Sequence, residues 1–141
     1  MPLSPGRRAA LLGSCRLFSG LDVAHLAAVA DAAIEVDFHA ERVIARQGEI
    51  GTGFFVILDG TADVRIDGEK RASLGRGDFF GEVSILLGEP PTADVVASTQ
   101  LRCIQIAGPN VEGFLVDNPK VMYRMLQAQA RRLRNANRWR S

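Results

Sequence analysis

The chain has 141 residues, of which 47% are hydrophobic and 23% are charged, and its formal net charge is +1. This length allows one ordinary hydrophobic core and excludes two comfortable domains, so we predict a single domain over residues 1–141. The composition excludes a disordered or fibrous chain, and a net charge so near zero identifies no charged partner.

The cysteines and the first residues bear on the cellular compartment. Cys15 and Cys103 lie far apart and match no metal-binding or redox spacing, which predicts reduced thiols in a cytoplasmic protein and leaves a single disulfide open as the alternative. The first 15 residues offer an apolar stretch shorter than a signal-peptide core, so we predict no signal. No run of about 18 apolar residues occurs, which predicts no membrane span.

The first predicted element is a short amphipathic helix. Apolar residues recur at three- and four-residue spacing in LFSGLDVAHLAAVADAAI, and Asp22 is placed to cap the helix start. We assign residues 16–33 to this N-terminal helical part.

A β-rich block follows over residues 34–107. Short apolar or alternating runs, about seven or eight in number, are separated there by glycines. In FFVILDGTADVRI, the pair Asp59-Gly60 lies between two such runs and predicts a hairpin turn. Strand character returns at ADVVAS and LRCIQIA.

Residues 108–141 are predicted to be helical. Pro109 lies near the start of a first helix, Asn118 and Pro119 interrupt it, and a long helix follows. Strands segregated from helices in this way predict an α+β fold, with a β-sandwich or barrel flanked by helices.

The last helix carries two patterns. A seam spaced by four and three residues predicts pairing with a second copy, although a helix lying on its own domain's core fits equally well. Seven basic and no acidic residues follow position 119, so this stretch carries +7 and the rest of the chain −6. Such a face suits phosphates or an anionic membrane, but a solvated basic face is commoner. The seam consists of Met122, Leu126, Gln129, Leu133 and Ala136.

The segment GDFFGEVSILLGEPPTADVVAS carries the chemistry. At Gly81 the backbone can approach a ligand closely and its amides can point to an anion. Residues 82–87 form a predicted short helical turn whose N-terminus would add donors. Glu82 beside it would accept a hydrogen bond from a sugar hydroxyl, so a sugar phosphate is the predicted guest. The alternative is that Glu82 only caps the helical turn.

These residues resemble the phosphate-binding cassette of cyclic-nucleotide-binding domains. Its general form is F-G-E, a small apolar helix, then P-R-[ST]-A, and this chain has Phe80-Gly81-Glu82, VSILLGE, Pro90, Thr92 and Ala93. The runs GFFVILDGTADV and LGRGDFFGE are similar to the family's glycine-bounded hairpin and to the run entering its cassette. The resemblance extends from LFSGL through the last helix, and the family includes catabolite-activator-type regulators, cyclic-AMP-dependent kinase regulatory subunits and cyclic-nucleotide-gated channels.

The resemblance implies a β-roll, a double-stranded β-helix of jelly-roll type, with an N-terminal helix, two C-terminal helices and the cassette at residues 80–94. It implies a regulatory sensor that binds cAMP ahead of cGMP and repositions its C-terminal helix. Glu82 would bind the ribose 2′-hydroxyl, the backbone near Gly81 and Thr92-Ala93 the cyclic phosphate, and Arg132 would lie near the base. The implied ligand-binding residues are Gly81, Glu82, Val83, Pro91, Thr92, Ala93, Arg132 and Asn137.

Pro91 departs from the family pattern, because the family has arginine there. Losing a guanidinium on the phosphate costs about 2–4 kcal/mol, or roughly 30- to 1000-fold in affinity. The alternative function is therefore the same fold with nucleotide binding weakened or lost, acting as a protein-interaction module or binding another ligand. Arg76 and Arg102 are candidate replacements. Thr92 goes with acceptance of cGMP in the channel branch of the family.

Catalytic and metal chemistry have no support in the sequence. His25 and His39 have no further ligand at metal-binding spacing, and no nucleophile stands in a recognised setting, so Ser84 is interpreted as a small packing residue. We predict that the protein is no enzyme and holds no metal or cofactor apart from cAMP or cGMP as a ligand. Expected partners are the nucleotide, a second copy through the C-terminal helix and an unknown effector protein. DNA binding is not expected, because no helix-turn-helix follows the last helix: the sequence stops at Ser141, where the transcription regulators of the family would begin theirs.

Overall fold

The computed structural model describes residues 3–49 and 53–137, and the predicted helix over residues 138–141 lies outside this part. The described residues form two four-stranded sheets and their flanking helices. The elements in chain order are α1 (Pro5–Ser14), a 3₁₀ helix (Arg16–Phe18), α2 (Val23–Ala32), β1 (Ile34–Phe38), β2 (Val43–Ala45), β3 (Gly53–Asp59), β4 (Ala62–Ile66), β5 (Glu69–Leu74), β6 (Phe79–Phe80), α3 (Glu82–Leu87), β7 (Asp94–Ala97), β8 (Leu101–Ala107), α4 (Gly108–Asp117) and α5 (Pro119–Asn137).

The strands pair antiparallel in the orders β1-β8-β3-β6 and β2-β7-β4-β5. The first and last strands are neighbours, with Ile34 opposite Gln105. These two sheets form the β-roll, and helices lie before and after it. The predicted α+β fold with a β-roll, an N-terminal helix and two C-terminal helices is confirmed.

Strand β3 is buried on both of its faces. Phe54, Val56 and Leu58 pack on the helices, while Phe55 and Ile57 point between the two sheets. Because successive side chains of a strand point to opposite faces, burial on both sides requires the continuous apolar run that the sequence shows. The strand thus separates a helix-facing core from the interior of the roll.

The pair Asp59-Gly60 does not form the predicted hairpin. Strands β3 and β4 belong to different sheets, so the chain crosses between sheets here. Gly60 has a φ of 94°, and a Cβ at this position would overlap the carbonyl oxygen of Gln100, so close approach to the turn before β8 requires the glycine. The hairpin in this region joins β4 to β5 through Asp67-Gly68, whose φ values of 53° and 80° suit a type I′ turn.

The N-terminal region contains one helix more than the sequence analysis assigned. Helix α1 begins after Ser4, whose side chain accepts a hydrogen bond from the backbone N–H of Arg7, and Pro5 occupies its first turn. A serine cap followed by proline is the signal that could have identified it. The predicted cap of α2 is confirmed, because Asp22 Oδ1 accepts a hydrogen bond from the N–H of His25 at 2.9 Å.

The two cysteines are free thiols in separate hydrophobic clusters, so they form no disulfide with each other. Burial raises the pKa of Cys15 to about 11 and the pKa of Cys103 to about 12. Both thiols therefore stay protonated near neutral pH and act as small apolar core groups.

Helix α5 has one buried side and one exposed side. Val121 and Met125 are buried in the helix-facing core. On the other side, Met122, Leu126 and Leu133 are 41%, 63% and 63% exposed. The helix thus lies on its own domain and still presents most of the predicted apolar seam. No helix within the described ranges is long and apolar enough to cross a membrane.

Candidate ligand-binding site

A cavity of about 390 Å³ opens between the β-roll, α3 and α5. Its volume falls in the range of small-molecule sites. Seven of the eight predicted site residues line it, whereas Asn137, an exposed residue at the end of α5, does not. The seven lining residues are Gly81, Glu82, Val83, Pro91, Thr92, Ala93 and Arg132.

Gly81 shapes the entrance to the cassette. It precedes α3 with a φ of 91°, and a Cβ there would overlap the carbonyl oxygen of Gly53 on β3. Only glycine combines this left-handed conformation with so close an approach of two backbones. At the other end of α3, the hydroxyl of Ser84 donates a hydrogen bond to the carbonyl of Glu89. Ser84 therefore closes the cassette helix and is more than the packing residue that the sequence suggested.

Glu82 is a buried carboxylate, only 2% exposed. Its Oε1 accepts a hydrogen bond from Arg132 Nη1 at 2.9 Å, while its Oε2 is buried with no hydrogen-bond partner among the described residues. Glu82 lies in the first turn of α3, and the hydrogen bond that its side chain accepts within the described ranges comes from Arg132 and not from a backbone N–H of this helix. One acceptor oxygen of the site remains available to a donor from a ligand.

Arg132 connects α5 to the cassette. Besides its bond to Glu82, its guanidinium lies over the ring of Phe79 at 4.9 Å from the centroid, and Nη2 lies 3.4 Å from the Phe79 carbonyl oxygen. The side chain is 47% exposed, so the pair is buried on the glutamate side and open to water on the arginine side. Among the described residues of α5, Arg132 is the one that lines the cavity, and it links this helix to the cassette.

Because residue 91 is proline, it brings no positive charge to the cavity. Neither candidate replacement for the missing arginine lines the cavity, because Arg76 donates to Ser14 Oγ at 3.2 Å and Arg102 donates to Asp37 at 2.9 Å. The hydrogen bond from Arg102 also lowers the pKa of the Asp37 carboxyl below its usual range. Among the described lining residues, Arg132 is the one basic side chain, and it is already paired.

The cavity wall is mainly apolar and comes from residues that the sequence analysis did not single out. Phe55 and Phe80 stack at 5.0 Å between ring centroids with an interplanar angle of 12°. Val64 on β4, Leu74 on β5 and Val95 on β7 complete the wall on the second sheet. These are ordinary strand positions, and only the pairing of the two sheets brings them to one place. A larger groove of about 800 Å³ between α2 and α4 contains none of the predicted site residues.

Comparison with known proteins identifies the family. The sequence model described as the cyclic nucleotide-binding domain matches residues 35–118, which is more than half of the chain. The chain belongs to the cyclic nucleotide-binding domain family. The resemblance noted from the cassette is thus confirmed, and the match runs from β1 to the end of α4.

Several solved structures of regulatory proteins are similar to this chain. The catabolite activator protein of Thermus thermophilus is 25% identical with a TM-score of 0.78, over 86% of this chain and 60% of that one. The regulatory subunit of a cAMP-independent protein kinase A from Trypanosoma brucei is 30% identical with a TM-score of 0.72, over 86% of this chain and 48% of that one. A mutant of the latter with Glu-to-Ala, Thr-to-Arg and Val-to-Ala substitutions, bound to cAMP in its A site, is 29% identical with a TM-score of 0.67, over 86% and 52%. The chain thus spans about half to three fifths of these proteins.

Proposed function

We propose that this domain is a non-catalytic cytoplasmic sensor that binds a cyclic nucleotide, cAMP ahead of cGMP, in the cavity between the β-roll and α5. The observation that supports this most is Glu82, whose buried Oε2 has no hydrogen-bond partner in the described part of the chain. Buried carboxylate oxygens are normally hydrogen-bonded, and a ribose hydroxyl supplies the required donor. The mainly apolar wall suits a flat base.

Ligand binding would then act on α5 through Glu82. Arg132 uses Oε1 of this carboxylate, which leaves Oε2 for the ligand. Arg132 fixes the orientation of the carboxylate through Oε1, so Oε2 is held ready for a ligand hydroxyl while α5 is docked, and the ligand would bind this docked state more tightly. Binding therefore shifts the equilibrium toward the closed position of the helix, and the output of the sensor is the position of α5.

The phosphate of the ligand would be held weakly. With Pro91 in the cassette and Arg132 paired to Glu82, no free cation lines the described cavity. The loss of a charge-assisted contact costs about 2–4 kcal/mol, or roughly 30- to 1000-fold in affinity. This observation favours a second candidate, in which cyclic nucleotide binding is lost and the cavity takes a less charged ligand, or the domain acts as an interaction module. The similarity to a cAMP-independent kinase regulatory subunit supports this second candidate.

Calorimetric titration with cAMP, cGMP and adenosine tests both candidates on the wild type and a Pro91→Arg variant. We expect weak cAMP binding by the wild type and roughly 30- to 1000-fold tighter binding by the variant. Adenosine is the matched control, because it has no phosphate and should gain nothing from the arginine. An unchanged cAMP Kd in the variant would show that position 91 does not face the phosphate and would contradict the first candidate. Adenosine binding at least as tight as cAMP binding in the wild type would support the second.

We also propose that two copies pair through α5. Apolar side chains exposed along one helix face are the usual material of a helix–helix seam, and Leu126 and Leu133 are each 63% exposed. Sedimentation analysis should show a dimer that Leu126→Glu converts to a monomer. Val23→Glu on α2 is the matched control, because Val23 is even more exposed, at 84%, and lies on another element. A monomeric wild type at high concentration would exclude the pairing.

A further inference from the structure

A second cavity, of about 240 Å³, lies where α5 meets the 3₁₀ helix and the turn between β5 and β6. It contains none of the cassette residues and shares with the ligand cavity only Phe79 and Arg132. Four arginines line this cavity, namely Arg16, Arg124, Arg131 and Arg132. We call it the arginine cavity.

The arginines of this cavity differ in their partners. Arg132 is paired with Glu82. Arg16, Arg124 and Arg131 make no side-chain hydrogen bond or ion pair with any of the residues at 3–49 and 53–137. Guanidinium groups that gather beside a single carboxylate, that of Asp78, repel one another, so an anion would stabilise this arrangement.

Arg124 gives the most direct indication of a missing acceptor. Its Nη1 is buried and has no hydrogen-bond partner within the described part of the chain. Leaving a buried charged donor without an acceptor is costly, and native proteins nearly always satisfy such groups with protein, water or ligand. The five donors of a guanidinium match the oxygens of a phosphate in two-pronged geometry.

The charge of the cavity identifies the class of anion. The three unpaired arginines bring three positive charges, and Asp78, the acidic residue of the lining, brings one negative charge. The carboxylate of Asp78 is used locally, since its Oδ2 accepts a hydrogen bond from the backbone N–H of Gly75 at 2.8 Å. Two positive charges therefore remain, which suits a doubly charged phosphate group.

We propose that the arginine cavity binds a small phosphate-bearing molecule, either inorganic phosphate or a phosphomonoester, through Arg16, Arg124 and Arg131. The site is separate from the cassette and does not depend on the nucleotide that the cassette takes. The three phosphate-binding arginines come from two elements: Arg16 from the 3₁₀ helix, and Arg124 and Arg131 from α5. The two arginines of α5 are seven residues apart, which is about two helical turns, so they lie on one face of the helix. The anion would thus tie the long helix to the N-terminal region.

The test is calorimetric titration of the full chain with inorganic phosphate and with glycerol 1-phosphate at pH 8, with chloride keeping the ionic strength constant. We expect saturable binding that weakens at least tenfold in Arg124→Gln and in Arg131→Gln. Arg134→Gln is the matched control, because it removes the same charge from an exposed position of the same helix outside the cavity. The Kd of Arg134→Gln for either phosphate probe should stay within twofold of the wild-type value. Tighter binding of one probe than of the other would tell free phosphate from an esterified one.

A second control separates this site from the cassette. Thr92→Asp places a negative charge in the ligand cavity at an exposed residue and should leave phosphate binding within twofold. If circular dichroism shows that Arg124→Gln does not fold, Arg16→Gln takes its place as the test variant, because Arg16 is exposed. The proposal is overturned if neither probe binds beyond the effect of chloride. It is equally overturned if Arg134→Gln weakens binding as much as Arg131→Gln, or if Thr92→Asp abolishes it.

Discussion

The bond between Arg132 and Glu82 predicts a measurable contribution of α5 to the stability of the domain. We consider Arg132→Gln, which removes the charge but keeps a polar side chain of moderate length. The change takes away the 2.9 Å hydrogen bond to Glu82 Oε1, and Oε2 already has no described partner. The carboxylate would then be buried with neither oxygen paired to a described residue.

The size of the effect follows from the burial of the two partners. Breaking a fully buried ion pair by removing one partner costs about 3–5 kcal/mol. The Glu82 side chain is 3% exposed but the Arg132 side chain is 47% exposed, so water partly screens the pair and takes over some of its hydrogen bonds. We therefore expect Arg132→Gln to lower the free energy of unfolding by about 1–3 kcal/mol. Glu82→Gln leaves no buried charge and should cost less.

A double-mutant cycle with urea unfolding followed by circular dichroism measures the pair itself. The variants are Arg132→Gln, Glu82→Gln and the double variant, and we expect a coupling energy of about 1–2 kcal/mol. Arg134→Gln on the same helix is the control and should stay within about 0.5 kcal/mol of the wild type. The reasoning fails if Arg132→Gln is as stable as the wild type, or if the two single effects simply add.

Three further predictions concern other parts of the fold. Gly81→Ala should prevent folding or lower the melting temperature strongly, because its Cβ would overlap the backbone of β3; a native-like melting curve would contradict this. Cys15 and Cys103 should resist iodoacetamide at pH 8 until urea is added, since burial raises both pKa values; rapid labelling in buffer would disprove their burial. Asp37→Asn should lower the free energy of unfolding at pH 7 by less than about 1 kcal/mol, because the Arg102 pair is partly exposed. The lowered pKa of Asp37 means that this contribution is present above the unfolded pKa and disappears as the pH falls through the folded one, so an acid-insensitive difference would refute it.

Much of the fold could be predicted because its signals are local. Asp22 capped α2 as expected, and Pro119 separated α4 from α5 where the sequence placed the break. The pairing of the strands could not be predicted in this way, because it depends on contacts between residues that are distant in sequence. Asp59-Gly60 has the same local signature in a hairpin and in a crossing between sheets, and the choice is made by the approach of Gln100, which is distant in sequence. Helix α1 also has a local signal, because Ser4 caps its start and Pro5 lies in its first turn, so its position could have been predicted as well.

The residues of the candidate site also divide into those with a local sequence signal and those whose contacts depend on distant parts of the chain. Gly81 and Glu82 could be predicted because the cassette is a continuous stretch with a specific pattern. The partner of Glu82 could not be derived from spacing, since Arg132 lies 50 residues away and reaches the carboxylate only after α5 docks. The direction of a long side chain is equally non-local. Arg76 stands close to the cassette in sequence and yet points to Ser14.

The pairing of β1 with β8 sets the order in which a newly made chain can fold. Ile34 lies opposite Gln105, so the first sheet cannot be completed until nearly the whole roll has left the ribosome. Until then β3 lacks its strand neighbour β8, and an unpaired strand edge makes the unfinished chain vulnerable to aggregation. Helices α4 and α5 follow β8 in the chain and dock on a sheet that is already closed. Helix α5 is therefore added after the roll, and the roll beneath it can be complete before this helix docks.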